Sequence, residues 1–223
     1  MSSDTVQLDG YVGPVTMADG PRDVTLRFGN QGEMVHSPIN SEFYEQTLRG
    51  NCFVYSEPAA GAALVAPTTT NAPMLWNPAG SGKNLVLHKI VIGYVGTTWA
   101  AGMVEYGVIT NAGSQIGTGA PIVSLTQVSG VNLLLGAGNV SVMRYAPTTL
   151  VVIAAPTFLC PAGINSNAGT AAAVLPPYTM VDWIAGQIIV PPGVAFFVMS
   201  NAAIAGVVSV AIYGAEIVVP PTA

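Results

Sequence analysis

Charge is what this chain has least of. Six Lys and Arg and eleven Asp and Glu make up 8% of its 223 residues, where an ordinary soluble domain carries about 25%. A surface with so few charges is hard to keep in water alone, so the scarcity predicts that other copies cover much of the outside. The balance is acidic and has no basic cluster, which excludes a phosphate-backbone partner, so no nucleic acid is expected. Histidine is nearly absent: His36 and His88 stand far apart with no acid or cysteine cluster at ligand spacing, so no metal site is expected. Cys52 and Cys160 are the only thiols, and sequence alone does not pair them. The first residues, M-S-S-D-T, lack the basic and apolar regions of a secretory leader. Residues 194–213 are uncharged and long enough to suggest a membrane span. However, Ser200, Asn201 and Gly206 interrupt them and no Lys or Arg flanks them, so two strands joined by a hairpin are expected there and no membrane partner.

The few charges are unevenly placed. Asp4, Asp9, Asp19, Asp23, Glu33, Glu42, Glu45 and Glu57 lie in residues 1–57, as do Arg22, Arg27 and Arg49; only Glu105, Asp182, Glu216, Lys83, Lys89 and Arg144 follow. Residues 1–23 hold Gly, Pro and scattered acids without an apolar period, the character of an extended arm that orders against a partner. A small hairpin is expected around the G-N-Q-G turn at 29–32. Residues 41–48 (S-E-F-Y-E-Q-T-L) form the best helical candidate, too short to stand alone. Residues 58–72, rich in Ala, Pro and Thr, read as a connecting segment between this 1–57 region and a main domain at 73–223.

That domain reads as strands throughout. Residues 51–56, 103–110, 122–128, 140–145, 150–154, 179–184 and 187–190 are short alternating or β-branched runs bounded by Gly, Pro and Asn, and two more close the chain. Residues 76–96 read as the first hairpin, an N-P-A-G-S-G turn opening into a Val/Ile-rich strand, and residues 161–177 as a long loop. With no strand–helix alternation and no fixed-period repeat, the expected fold is all-β: an antiparallel β-sandwich of jelly-roll type, preceded by the arm and its small hairpin.

No group of residues announces catalysis. Gly80-Ser81-Gly82-Lys83 resembles part of a phosphate loop, but Asn77 and Asn84 occupy the places that need Gly and Ser or Thr, and a strand follows where a helix is required. It reads as a turn with a solvated Lys83. His88 reads as a solvent-facing or interface residue. Glu105, Asp182 and Glu216 are too scattered to predict a carboxylate pair, although Asp182 beside Trp183 allows a sugar-binding pair as the rival to a core-edge polar handle. Catalytic residues and cofactors are therefore both expected to be none. Arg22, Arg27 and Arg49 either pair locally with Asp23, Glu33 and Glu45 or reach groups on a neighbouring subunit.

The tracts L-R-F-G-N-Q-G-E-M-V (26–35), F-Y-E-Q-T-L-R-G-N (43–51) and L-W-N-P-A-G-S-G-K-N-L-V-L (75–87) together resemble a group of tailed-phage structural proteins. The resemblance spans roughly residues 24–95. It implies a capsid decoration, or cement, protein of the virion: a jelly-roll trimer seated on the head lattice, its arm spread over the major capsid protein. Arg22, Arg27, Phe43, Tyr44 and Arg49 are then the expected partner contacts. The rival reading is a tail-fibre or receptor-binding domain whose loops at 111–121 and 161–177 contact host glycan, yet neither loop contains an aromatic residue. A hydrolase is the third, weakened by the lack of acids and histidines.

Overall fold

The computed structural model describes residues 43–57, 61–64, 66, 70–71, 73–96, 102–110, 129–146, 150–151, 154–166, 179–201 and 207–219. The chain divides into two compact units, residues 1–44 and 45–223. The expected arm, the hairpin near residue 30 and the strand at 122–128 lie outside the described residues.

In chain order the elements are α1 (Tyr44–Leu48), β1 (Cys52–Ser56), β2 (Ala62–Ala63), β3 (Thr70–Asn71), β4 (Met74–Trp76), β5 (Lys83–Gly96), β6 (Gly102–Ile109), β7 (Val131–Asn132), β8 (Arg144–Ala146), β9 (Leu150–Val151), β10 (Thr157–Ser166), β11 (Thr179–Trp183), β12 (Ile189–Val190), β13 (Ala195–Ser200) and β14 (Val207–Val218). The domain is an all-β sandwich of two antiparallel sheets. The first sheet runs β11-β5-β14-β1-β7, with β12 also on β5 and β2 also on β14; the second runs β10-β6-β13-β4-β8. A small ribbon pairs β3 with β9. The first sheet thus takes a strand, β1, from the 1–57 region. Among the described residues no helix is long and apolar enough to cross a membrane.

The pattern of β5 explains the packing. Leu85, Leu87, Ile90 and Ile92 are buried in the core, and Val86, Lys89 and Val91 point the other way. The phase slips by one residue at His88, where the pairing with β14 shifts between Tyr213 and Gly214. Such a bulge lets a two-residue period restart without turning the apolar set outward. The core between the sheets is built from Phe53 and Tyr55 of β1, Leu75 of β4, the four inward residues of β5, Val104 and Tyr106 of β6, Phe196 and Val198 of β13, and Val208, Val210 and Ile212 of β14. The second sheet is also buried on its other side, where Met74, Trp76, Ile109, Ala146, Ala195 and Phe197 form a separate cluster. All six residues of β13 are accordingly buried.

Several sequence expectations are corrected. Residues 76–96 are not a hairpin: β4 pairs with β8 and β13 in the second sheet, whereas β5 pairs in the first, so the turn between them is a corner that crosses the sandwich. The strands within 194–213, β13 and β14, likewise lie in opposite sheets and do not pair. The first six residues of the expected loop at 161–177 continue β10, whose register against β6 shifts between Pro161 and Asn165; a bulge is where a strand tolerates a proline. Only Arg144–Ala146 of the strand expected near 140–145 pairs as a strand, because the backbone before it turns its amides toward Glu216. The run at 150–154 pairs only over Leu150–Val151, and Ala154 is exposed.

Candidate functional site

The most concentrated chemistry in the domain is a buried carboxylate. Glu216 of β14 is 1% exposed. Its Oε1 accepts hydrogen bonds from the Tyr55 hydroxyl (3.0 Å), the Ser141 hydroxyl and the Val142 amide (3.0 Å), with the Met143 amide at 3.4 Å. Its Oε2 faces the Lys83 ammonium at 3.1 Å. Lys83, expected to be solvated, is thus an ion-pair partner that retains partial exposure. Burial, and then the charge of Glu216, push the Tyr55 hydroxyl far above its ordinary pKa, so it stays a donor. With all four lone-pair directions engaged, this carboxylate ties β14, β1, the start of β5 and the irregular segment before β8 into one network. Chemically it is a clamp: the carboxylate has no free face for a substrate.

The corner before β5 is held in a similar way. Asn77 is fully buried, and its amide donates to the carbonyls of Lys83 (2.7 Å) and Val190 (2.8 Å) while its oxygen accepts from the Ser81 hydroxyl (2.6 Å). Its backbone pairs with Val194 and Gly193. Gly80 and Gly82 take φ of 82° and 67°, the left-handed region. The phosphate-loop-like tract is therefore a corner organised around an asparagine side chain.

A second framework holds the 49–51 turn. The amide of Asn51 donates to the Gln46 carbonyl (3.0 Å) and that of Gly50 to the Thr47 carbonyl (2.9 Å), with Gly50 at φ 70°; this is the glycine-capped helix end of a Schellman motif. The Gly50 carbonyl accepts from the side-chain amides of Asn132 (2.8 Å) and Asn139 (3.1 Å). The Leu/Gly-rich stretch at 129–139, which carries no clear period in the sequence, thus braces this turn. Of the expected contact residues, Arg49 and Tyr44 are exposed and Phe43 is half-buried, while Arg22 and Arg27 lie outside the described residues.

On β11, consecutive residues point to opposite faces. Asp182 accepts a 2.8 Å hydrogen bond from Tyr106, a residue of the inter-sheet core, whereas Trp183 is 60% exposed on the outer face. Asp182 and Trp183 therefore do not form a sugar-binding pair, and the polar-handle reading of Asp182 stands. The Trp183 ring instead has the Lys89 ammonium 5.2 Å from its centre, and the same ammonium lies 4.4 Å from the Tyr213 ring. His88, expected at a solvent-facing or interface position, is buried at the bulge.

The remaining buried acids are separate. Both oxygens of Glu57 and the hydroxyl of Tyr145 are buried without a well-formed hydrogen bond. Burial pushes the Glu57 carboxyl up to about 7, with nearby amides of Val210 and Ala62 and the Tyr145 hydroxyl pulling the other way. Burial also raises Glu105. Cys52 and Cys160 are both free, and burial raises both thiols. Among the described residues no three His, Cys, Asp or Glu side chains converge as a metal site would require. The Glu216 clamp escaped sequence reasoning because its partners come from positions 55, 83 and 141–143; an isolated Glu near the end of an apolar strand was the one available signal. No protein-family model, curated protein or solved structure matches the chain.

Proposed function

We propose that the protein is a non-enzymatic structural component of a tailed-phage virion, a decoration protein that self-associates and bridges major capsid subunits at the head surface. The observation that carries this reading is the outer face of the first sheet, which among the described residues is studded with exposed apolar side chains and holds Lys89 as its single charged residue. A face of this kind suits association with protein. The charged residues concentrated in 1–57 suit contacts of a different, polar kind with the lattice. The tract that resembles phage structural proteins has a matching use, since its Asn77 corner builds the sandwich. Many copies, each gripping several neighbours, gain avidity from modest contacts.

We infer further that the sandwich is wired as a jelly roll. The wiring is supported by the strand order: β1, β14, β5 and β11 are successive neighbours in one sheet, and β10, β6, β13 and β4 in the other. In chain order these eight strands alternate between the sheets except for the adjacent pair β6 and β10, and the last long strand sits beside the first.

Deleting residues 1–40 tests the assignment. The truncated chain is expected to stay folded and oligomeric but to lose binding to heads that lack the protein. Normal decoration by the truncated chain would overturn the arm's role. Quantitative mass spectrometry of purified particles is expected to find hundreds of copies, and a handful per particle would move the protein to the tail.

A further inference from the structure

We infer that the outer face of β11, β5, β14 and β1 is the surface on which a second copy of this chain docks, sheet against sheet; this rests on the self-association proposed above. Register fixes which side chains share the face. Ile189 and Val86 form one cross-strand row, which ends at Ala215 and Cys52, both already fully buried within the chain; Trp183, Lys89, Tyr213 and Val54 form the next; Val181, Val91, Ala211 and Ser56 the third. Val181, Trp183 and Ile189 are about half exposed, as are Val95 and Ile217 further along. The contrast with the middle of the second sheet is direct, because the outward residues of β4 and β13 there are already buried in their own cluster.

Size and charge both favour a second copy. At strand spacings of ~4.8 Å and a rise of ~3.4 Å per residue, the long strands β5 and β14 with the short β1, β11 and β12 beside them present roughly 600 Å². That stands at the top of the range for the largest apolar patch of a monomer, ~300–600 Å², and two such faces together clear the ~1,000 Å² a specific interface needs. A charged partner would leave its own ions unpaired here, since Lys89 is the one charge in these rows. A copy of the same face brings matching Val, Ala, Ser and aromatic side chains, and two such faces can pack ~10 Å apart as sheets do within a sandwich. The two rings flanking the Lys89 ammonium reduce the cost of taking it out of water.

The test uses the full-length chain in analytical ultracentrifugation, comparing wild type with Val181→Glu, Val91→Glu and, as a control, Leu135→Glu, which alters an 83% exposed side chain in the 133–136 turn. Each β-face variant is expected to raise the dissociation constant at least ~100-fold, as burying an unpaired carboxylate does, while Leu135→Glu leaves it unchanged. A β-face variant that is folded by circular dichroism and still associates like wild type overturns the inference but leaves self-association standing. A wild-type chain that is monomeric throughout overturns both. Amine labelling of the wild type, read by mass spectrometry, covers the case in which a variant fails to fold. Lys89 is expected to become protected relative to Lys83, the only other lysine, as concentration rises through the association range. Protection of Lys89 that does not change with concentration would mean that the chain covers its own face, and labelling of Lys89 that continues in the oligomer would mean that copies meet elsewhere; either overturns the inference.

Discussion

Replacing Glu216 removes the acceptor around which four segments are arranged, and the structure lets the cost be divided. In Glu216→Ala the Tyr55 and Ser141 hydroxyls, 3.0 Å apart, can still bond each other, and the Met143 amide keeps the Ser141 oxygen at 3.1 Å. The Val142 amide and one hydroxyl hydrogen are left without an acceptor. At ~1–3 kcal/mol for each buried orphan, plus the lost packing, the expected destabilisation is about 3–5 kcal/mol. Glu216→Gln keeps one acceptor oxygen but sets an amide donor against the Lys83 ammonium, for about 2–3 kcal/mol. Lys83→Met costs least, about 1 kcal/mol, because the lysine side chain is 29% exposed and solvent already screens the pair. The carboxylate meanwhile keeps its neutral donors. Guanidinium unfolding at one fixed protomer concentration measures the three values and, with the Lys83→Met/Glu216→Gln double variant, their coupling. A Glu216→Gln loss below ~0.5 kcal/mol, or a Lys83→Met loss larger than that of Glu216→Ala, would refute the account of the clamp.

Glu57 gives a pH signature of opposite sign to that of an ion-paired or hydrogen-bonded carboxylate. Its folded pKa of about 7 lies above the ordinary 4.5, so its stabilising contribution is complete below about pH 4.5 and lost as pH rises through 7, by at most ~3 kcal/mol. Thermal melts from pH 5 to 8 should show the decline, and Glu57→Gln should flatten it. Asn77→Ala is expected to cost about 2–3 kcal/mol by leaving the buried Val190 carbonyl without its side-chain donor and the Lys83 carbonyl with only the Ser81 hydroxyl, and by emptying the corner. Asn77→Asp should cost more at neutral pH and partly recover in acid, where a protonated carboxyl can donate again; equal melting temperatures for the two variants would contradict the corner's hydrogen-bond assignment. Gly214→Ala would place a Cβ 2.7 Å from the Val86 carbonyl oxygen, a backbone atom, whereas at Gly50 the nearest atom is the amide of the exposed Asn139 side chain. Gly214→Ala should therefore lower the denaturant midpoint more than Gly50→Ala does, despite the positive φ at Gly50.

The sequence was a good guide to strands and a poor one to their partners. Alternation and β-branching locate most of the long strands, because burial on one face writes a period of two into the chain. Pairing leaves no such mark. The Asn-Pro-Ala-Gly-Ser-Gly tract has the composition of a hairpin turn, and only the two carbonyls held by Asn77, one at the start of β5 and one ending β12, make it a corner between sheets. His88 could not be seen as buried, since a simple alternating count runs through it; the shift opposite Tyr213 and Gly214 decides its place. The Glu216 clamp needs the tertiary fold to exist at all, and so does the outer face on which Trp183 and Val181 come to lie beside Lys89 and Val91.

β14 occupies the middle of the first sheet, between β1 and β5, and it follows every other described strand along the chain. Until residues 207–218 emerge, the facing edges of β1 and β5 have no partner, and the apolar residues of β5 have nothing to close over them. The sheet cannot form progressively from its beginning; it must wait for a strand separated from β1 by most of the chain, a long-range closure that makes folding slow and leaves sticky edges open meanwhile. A chain cut shortly before residue 207 would keep every strand of the second sheet but leave the first in two pieces, β11-β5 and β1-β7, with nothing to join them over the core.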